Sequence, residues 1–350
     1  MVDKSLVETE RSSAVPDAKS PWSVCAVTVT FGDRKHLLRQ VLLALLREKA
    51  VWKIVVVNNA APWDLQALAA DLGPDRIEIL ELDGNQGSSA GFRAGIKRAC
   101  ELGAELIWLL DDDNEPQEGA LTDLIAAYVR LNKEVSEDNL AVLGFRSRHH
   151  GSVLATSHRG RRPSSFWGFH VLDVPYKLWS RTPWGLRRSR QLLPSLVEVP
   201  GGPFGGLLFH SAVVPRHGLP REDFVLYEDD IEFTYRIIRS GGVLRLVPAA
   251  IVVDLETPWE IVGGFRGTAR SLLRDSSDAR AYYAARNRTY LSRHCFPHNR
   301  LMLWVNRRVY CLALQLWAVF SRSMSRYRLL EYAIKDGFEG RLGRRPEYPL

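Results

Sequence analysis

Four short apolar runs, separated by helix-like stretches, constrain this 350-residue chain more than any other feature. "SVCAVTVTF" (23–31) is rich in β-branched residues and ends in the turn-like "GDR". "KIVVVNNA" (53–60), "RIEILEL" (76–82) and "ELIWLL" (105–110) follow. Such runs, bounded by turn residues, are the pattern of buried strands. Between them, "HLLRQVLLALLREK" (36–49) carries apolar residues at helical spacing, and "FRAGIKRACELG" (92–103) supplies a further helix. This β-α-β-α-β alternation predicts a parallel sheet wound in the α/β manner.

Ligands of open α/β sheets bind beyond the carboxyl ends of the strands. Polar clusters fall at those ends: Phe31–Asp33, Asn58–Asn59, Asn85–Gly91 and Asp111–Asp113. Purely structural polar residues would be scattered instead. The last cluster, "LLDDDNEP" (109–116), places three like charges at the end of a buried strand. Adjacent carboxylates raise one another's pKa unless a cation sits among them. A divalent metal is one compensation, since hard cations take oxygen ligands. A solvated acidic turn that caps a helix is the other reading. The glycine loop "GNQGSSAGFRAG" satisfies neither the dinucleotide fingerprint nor the P-loop. Its glycines still allow close backbone approach, and a helix start there suits phosphate or sugar hydroxyls. Arg93 and Lys97 lie one turn apart on that helix, facing an anion or solvent.

A second constellation occupies 198–242, where glycines and prolines surround a short apolar strand. "DFVLYEDDIEFTYRIIRSG" then begins a helix with acids in its first turn, where the macrodipole favours them. Capping by Glu228 or Asp229 accounts for one carboxylate, not for three in a row. A carboxylate held at a helix start beside a cleft is a general-base candidate.

Net charge is +7, concentrated in "RSRHH", "HRGRR" and "WGLRRSR" within 146–190 and in the C-terminal end. Basic clusters among aromatics suit nucleic acid, an anionic membrane or a phosphorylated substrate, or form a solvated surface. The polar stretch 1–21 lacks an apolar h-region and reads as a disordered leader, not a signal peptide. Cys25, Cys100, Cys295 and Cys311 form no CxxC pair, which predicts free, mostly buried thiols in a reducing cytoplasm. Residues 300–330 hold an apolar stretch from Val309 to Phe320, short of the roughly 20 residues that span a bilayer. With flanking Arg and aromatic residues it suits either a membrane surface or a core helix. "VPYKLWSRTPWGLRRSRQ" (174–191) is a second interfacial candidate.

In this order, "VTVTF", "VVVNNA", "GNQGSSAGF", "LLDDDNEP", "GGPFGGLLF", "YEDDIEFTYRI" and "YYAARNRTY" (282–290) resemble an inverting glycosyltransferase of the GT-A type, family 2. The resemblance runs from about residue 23 to 290, and its loops are most similar to those of galactofuranosyltransferases. "AIKDGFEGRLG" (333–343) resembles the end of family-2 rhamnosyl- and galactofuranosyltransferases. The resemblance implies a GT-A fold, a Rossmann-like mostly parallel sheet flanked by helices, over 22–280. It also implies a C-terminal helical appendage over 281–350.

It further implies that Asp111 and Asp113 lie near Mg²⁺ or Mn²⁺ on the donor diphosphate, with Asp112 reaching donor sugar or ribose. Thr30 and Phe31 fall by the nucleotide, Asn59 at base or ribose, and Asn85, Gly87 and Arg93 along the donor pocket. Asp230 matches the catalytic base, with Asp229 orienting the acceptor and Phe204, Gly205 and Glu228 beside it. Relatives commonly supply a His as third metal ligand about two dozen residues after the base; "AAIVVDLETPWE" has none. Asp254 is the substitute, or merely closes a strand. The implied donor is UDP-galactofuranose, with dTDP-L-rhamnose as the alternative. The implied acceptor is a glycan or lipid-linked glycan of the cell envelope, reached from the cytoplasm or the inner membrane face. A nucleotidyltransferase would show a "GxGTRL"-like start where "TFGDRKHL" stands. A nucleic-acid-binding protein would leave the acidic clusters unexplained, so no nucleic-acid partner is expected. A non-catalytic nucleotide-sugar sensor is the remaining class.

Overall fold

The computed structural model describes residues 22–147, 150, 162–179, 194–256 and 268–350. The leader, and residues 180–191 of the interfacial candidate, lie outside the described residues.

The four predicted strands are present. β1 (Val24–Thr30) is buried along its whole length, and β2 (Val51–Asn58), β3 (Ile77–Glu81) and β4 (Leu106–Asp111) run parallel to it in the order β3-β2-β1-β4. The crossovers are α1 (Lys35–Arg47), α2 (Leu65–Leu72) and α3 (Ser88–Glu101). Asp64 starts α2 by accepting the Ala67 amide at 2.9 Å. Because strand side chains alternate, Val24, Ala26, Trp108 and Leu110 face one core with α1 and α4 (Ala120–Leu131). Cys25, Val27, Ile107 and Leu109 face the other, against α3.

Helix α3 begins four residues before the predicted "FRAGIKRACELG", because Ser88 to Gly91 already form its first turn. The reason is packing. A Cβ at Gly91 would lie 2.5 Å from Val29 Cγ1, and one at Gly95 2.4 Å from Val27 Cγ1. Those two glycines seat the helix on β1 rather than admitting a ligand.

Beyond β4 the sheet is no longer purely parallel. β5 (Asn114–Pro116) and β6 (Leu140–Phe145) come next, then α5 (Val174–Trp179) and β7 (Val197–Glu198). β8 (Leu207–His210) inserts antiparallel between β4 and β6, and α6 (Val213–His217) and α7 (Asp229–Arg239) follow. β9 (Val243–Asp254) pairs parallel with β6, shifts register after Val247, and ends antiparallel to β5 with Asp254 opposite Asn114. That shift carries the end of β9 to the triple aspartate. Among the described residues the sheet thus joins nine strands.

The C-terminal part is helical: α8 (Asp278–Tyr290), α9 (Arg300–Phe320) and α10 (Met324–Glu339). These helices share a buried cluster with Phe166 and Val225, so they pack on the segment just before α7. All four thiols are free, but only Cys25 is buried; Cys100, Cys295 and Cys311 are half-buried, which corrects the expectation of mostly buried thiols.

Candidate active site

β1 lies between β2 and β4, so the chain reverses direction across the sheet at β1, and the crevice opens beyond the ends of β1 and β4. Both polar ends meet there. Thr30, fully buried, donates its hydroxyl to Asp112 Oδ2 at 2.8 Å. Arg34, just past β1, donates Nε to Asp112 at 2.9 and 3.0 Å and places Nη2 3.2 Å from Asp113. Phe31 is exposed, with the Arg34 guanidinium 5.7 Å from its ring centre.

A second arginine comes from the end of β6. Arg146 is 4% exposed and donates Nε to Asp254 Oδ1 at 2.7 Å, with Nη1 3.4 Å from Asp111 Oδ2. Asn114, fully buried, donates to both Asp113 (3.0 Å) and Asp254 (3.2 Å). The cations among the aspartates here are therefore two arginines. Sequence reasoning missed both, having counted Arg146 only as part of the basic cluster "RSRHH". The signal available was position: "FGDR" and "GFR" follow strand ends as directly as the aspartates do.

Charge compensation is incomplete. Burial, partly offset by Arg34, pushes Asp112 up to about 7. Burial and the Asp111 charge push Asp113 up to about 6. Asp111 is also raised, by burial against the pull of Arg146. Among the described residues, no group of three or more His, Cys, Asp or Glu side chains is arranged to hold a metal ion. Asp254, the expected third ligand, is instead taken up by Arg146 and Asn114. Asp111 and Asp113 remain as an under-compensated pair of hard oxygen donors. That set fits Mg²⁺ or Mn²⁺, which bind through one or two carboxylates plus substrate phosphates.

The donor loop is tied to the same crevice. Asn59, 2% exposed, accepts the Gln86 amide at 2.7 Å and donates to Asn85 Oδ1 at 3.1 Å. Asn85 Oδ1 also accepts the Gly87 amide at 3.0 Å. Gly87 has φ 86°, and a Cβ there would fall 2.1 Å from the Val225 carbonyl oxygen. Arg93 points elsewhere, donating to the Pro220 carbonyl at 3.0 Å and lying 3.6 Å from Glu222. Gly205 is pressed against the acidic cluster: its Cβ would lie 1.9 Å from Asn114 Oδ1 and 2.3 Å from Arg146 Nη1. Phe204, 4% exposed, packs its ring on Phe92 and Phe233, so it is a core residue here.

At the start of α7, Glu228 occupies the N-cap but makes no capping bond; it pairs with Arg288 at 2.6 Å. Asp229 is buried, its Oδ2 has no hydrogen-bond partner, and burial pushes its carboxyl up to about 7. Asp230 is half-buried and accepts the Ile231 amide at 2.7 Å. Burial, then the charges of Asp229 and Glu228 and that of Asp111, raise it well above the carboxylate range. The fold has therefore brought Asp111 and Asp230 within electrostatic reach although 119 positions separate them (230 − 111).

Residues 25–173 match the family model for glycosyl transferase family 2. The fold is of the GT-A type, and the stretch that resembles family 2 glycosyltransferases carries β1 to β6 and the aspartate cluster. The chain is 27% identical over 230 residues to galactofuranosyltransferase GlfT1 of Mycolicibacterium smegmatis, covering 62% of this chain and 66% of that protein. It is 26% identical over 229 residues to GlfT1 of Mycobacterium tuberculosis H37Rv, covering 63% and 66%. The match thus spans just under two thirds of the length of these curated relatives. The crystal structure of GalNAc-T7 with UDP, GalNAc and Mn²⁺ superposes with TM-score 0.51 at 12% identity, covering 87% of this chain and 59% of that one; it shares the fold.

Proposed function

We propose that this protein is a metal-dependent inverting glycosyltransferase that moves galactofuranose from UDP-galactofuranose to a hydroxyl of a glycan or lipid-linked glycan. The observation that carries the reading is the meeting of the aspartate cluster at the end of β4 with Asp229–Asp230 at the start of α7. The GlfT1 relatives, which are galactofuranosyltransferases, support galactofuranose as the sugar. Asp111 and Asp113 would hold Mn²⁺ or Mg²⁺, which when bound offsets the charge of the departing diphosphate. Exposed Phe31 offers a face to the base, and Asn59 holds the donor loop in place. Asp230 takes the acceptor proton as the hydroxyl attacks the anomeric carbon, and a single displacement inverts the centre. Asp229 orients the acceptor. Arg34 and Thr30 occupy Asp112, which makes it a framework carboxylate more than a sugar contact.

The test is a donor screen by mass detection of released nucleotide. UDP is expected from UDP-galactofuranose with Mn²⁺ or Mg²⁺, and none in excess EDTA. Release of dTDP from dTDP-L-rhamnose would replace the donor, and full turnover in EDTA would remove the metal from the mechanism.

The pH profile carries a sign. Asp230 acts only when ionised, and its raised pKa places the acid limb of kcat above the ordinary carboxylate range. Asp229 contributes to that elevation, so Asp229→Asn should move the limb to lower pH. A limb that stays put, or moves up, would contradict the coupling.

Helix α9 supports the membrane-surface part of the reading. Its inner stripe, including Tyr310 and Leu314, is buried on the C-terminal core. Its outer stripe leaves Leu301, Trp304, Leu312, Leu316, Val319 and Phe320 exposed, Phe320 at 86%. Among the described residues no helix is long and apolar enough to cross a membrane. Reversible co-sedimentation with anionic vesicles is expected, weakened by Leu316→Glu. No binding at low salt would count against it.

A further inference from the structure

The segment 224–228, which leads into α7 and lies against the donor loop, is strained, and one helix holds it. Val225 has φ 67° and ψ −59°, and the Leu226 amide donates to the Phe224 carbonyl at 2.7 Å. This is a γ-turn of the rare hand, centred on a β-branched residue. Tyr227 and Glu228 follow at φ 68° and 65°. Non-glycine residues persist in such conformations only where the surroundings over-determine them.

The surroundings here are consecutive residues of α8. Asn287, fully buried, turns its Nδ2 to the carbonyls of Phe224 (2.9 Å), Leu226 (2.8 Å) and Tyr227 (2.9 Å). Two hydrogens serve three acceptors, so one is shared. Arg286, also fully buried, donates Nη2 to the carbonyls of Phe224 (2.9 Å) and Asp223 (3.2 Å). Its Nε donates to Asn287 Oδ1 at 2.9 Å and fixes the amide's orientation. Arg288 then holds the Glu228 side chain at 2.6 Å. On the far side, the Val225 carbonyl sits over Gly87 and faces the Ser89 amide at 3.4 Å.

We infer that Arg286 and Asn287 are positioning residues: they lock the main chain of 224–228 so that Asp229 and Asp230 stand at a set place relative to the donor loop and Asp111. The helix called an appendage is thus part of the catalytic framework. The clamp reads main chain only, so it specifies a backbone shape. A misplacement of about 1 Å in such a framework costs on the order of 10²-fold in rate.

The kinetic consequence rests on the transfer reaction proposed above; the conformational one does not. In the full-length protein, Asn287→Ala should lower kcat by about 10- to 100-fold at saturating substrates, with donor KM within about twofold. Val225→Gly in that background should restore part of the loss, because glycine takes positive φ without strain. Amide exchange followed by mass spectrometry should rise in 224–228 of Asn287→Ala while α9 and α10 keep their protection. If Asn287→Ala does not accumulate folded, Asn287→Ser, which keeps one donor, carries the same readouts. Unchanged exchange in 224–228, a uniform rise across α8–α10, or a kcat loss that Val225→Gly leaves untouched would overturn the inference. A wild-type chain without transfer on any donor, combined with selective loop release in Asn287→Ala, would sink the proposed reaction and keep the clamp.

Discussion

Asp230→Asn is expected to bind donor normally and to lose transfer by about 10²–10⁴-fold, the usual cost of removing a general base. The amide fills the same volume, and its oxygen still accepts the Ile231 amide that Asp230 Oδ1 accepts at 2.7 Å. It cannot take a proton from an acceptor hydroxyl. Stability should hold or rise, because the substitution removes a charge that burial, Asp229, Glu228 and Asp111 all disfavour. Loss of a helix cap does not explain a rate effect here, since Asp230 lies inside α7 and the N-cap residue, Glu228, makes no capping bond. Transfer rate at saturating donor, beside calorimetric donor affinity, decides the matter. Near-normal transfer would shift the role to Asp229, whose buried Oδ2 has no hydrogen-bond partner.

The second large effect concerns stability. Arg146→Met should destabilise the fold by about 3–5 kcal/mol, the range for removing one partner of a buried ion pair. Arg146 and Asp254 side chains are 5% and 2% exposed, and their closest approach is 2.6 Å. Without the guanidinium, Asp254 keeps the Asn114 amide, and Asp111 loses the arginine that lies 3.4 Å from its Oδ2. Adding Asp254→Asn should recover most of the loss, since a buried pair is often replaced by neutral groups at little cost. Urea titrations in EDTA of both single variants and the double variant measure the coupling. Additive losses in the double variant would mean that the pair is not a unit, and would return Asp254 to the list of metal-ligand candidates.

How much of this was legible beforehand differs from element to element. The strands 23–31, 53–60, 76–82 and 105–110 appear within a few residues of their predicted limits; for β1 and β4, burial on both faces demands continuous apolar runs. The start of α3 lies four residues before the predicted one because Gly91 looks like a loop residue until β1 is packed against it. Phe204 was read as an acceptor contact because a loop aromatic between glycines resembles a binding residue; its ring lies among Phe92 and Phe233.

The sequence by itself determined the α/β alternation, the strand ends at which a ligand crevice opens, and the carboxylates that occupy them. Those features are local: periodicity and residue type act over a few positions, and neither needs a partner from far along the chain. The tertiary structure alone decided which charges meet. Arg34 and Arg146 reach the aspartates from β1 and β6, the register shift in β9 delivers Asp254 to Arg146, and α8 clasps the turn before Asp229. Such contacts depend on antiparallel insertion of β8 and on packing across separations of 35 to 108 residues, and a buried arginine and a surface arginine are spelled alike until the chain is folded.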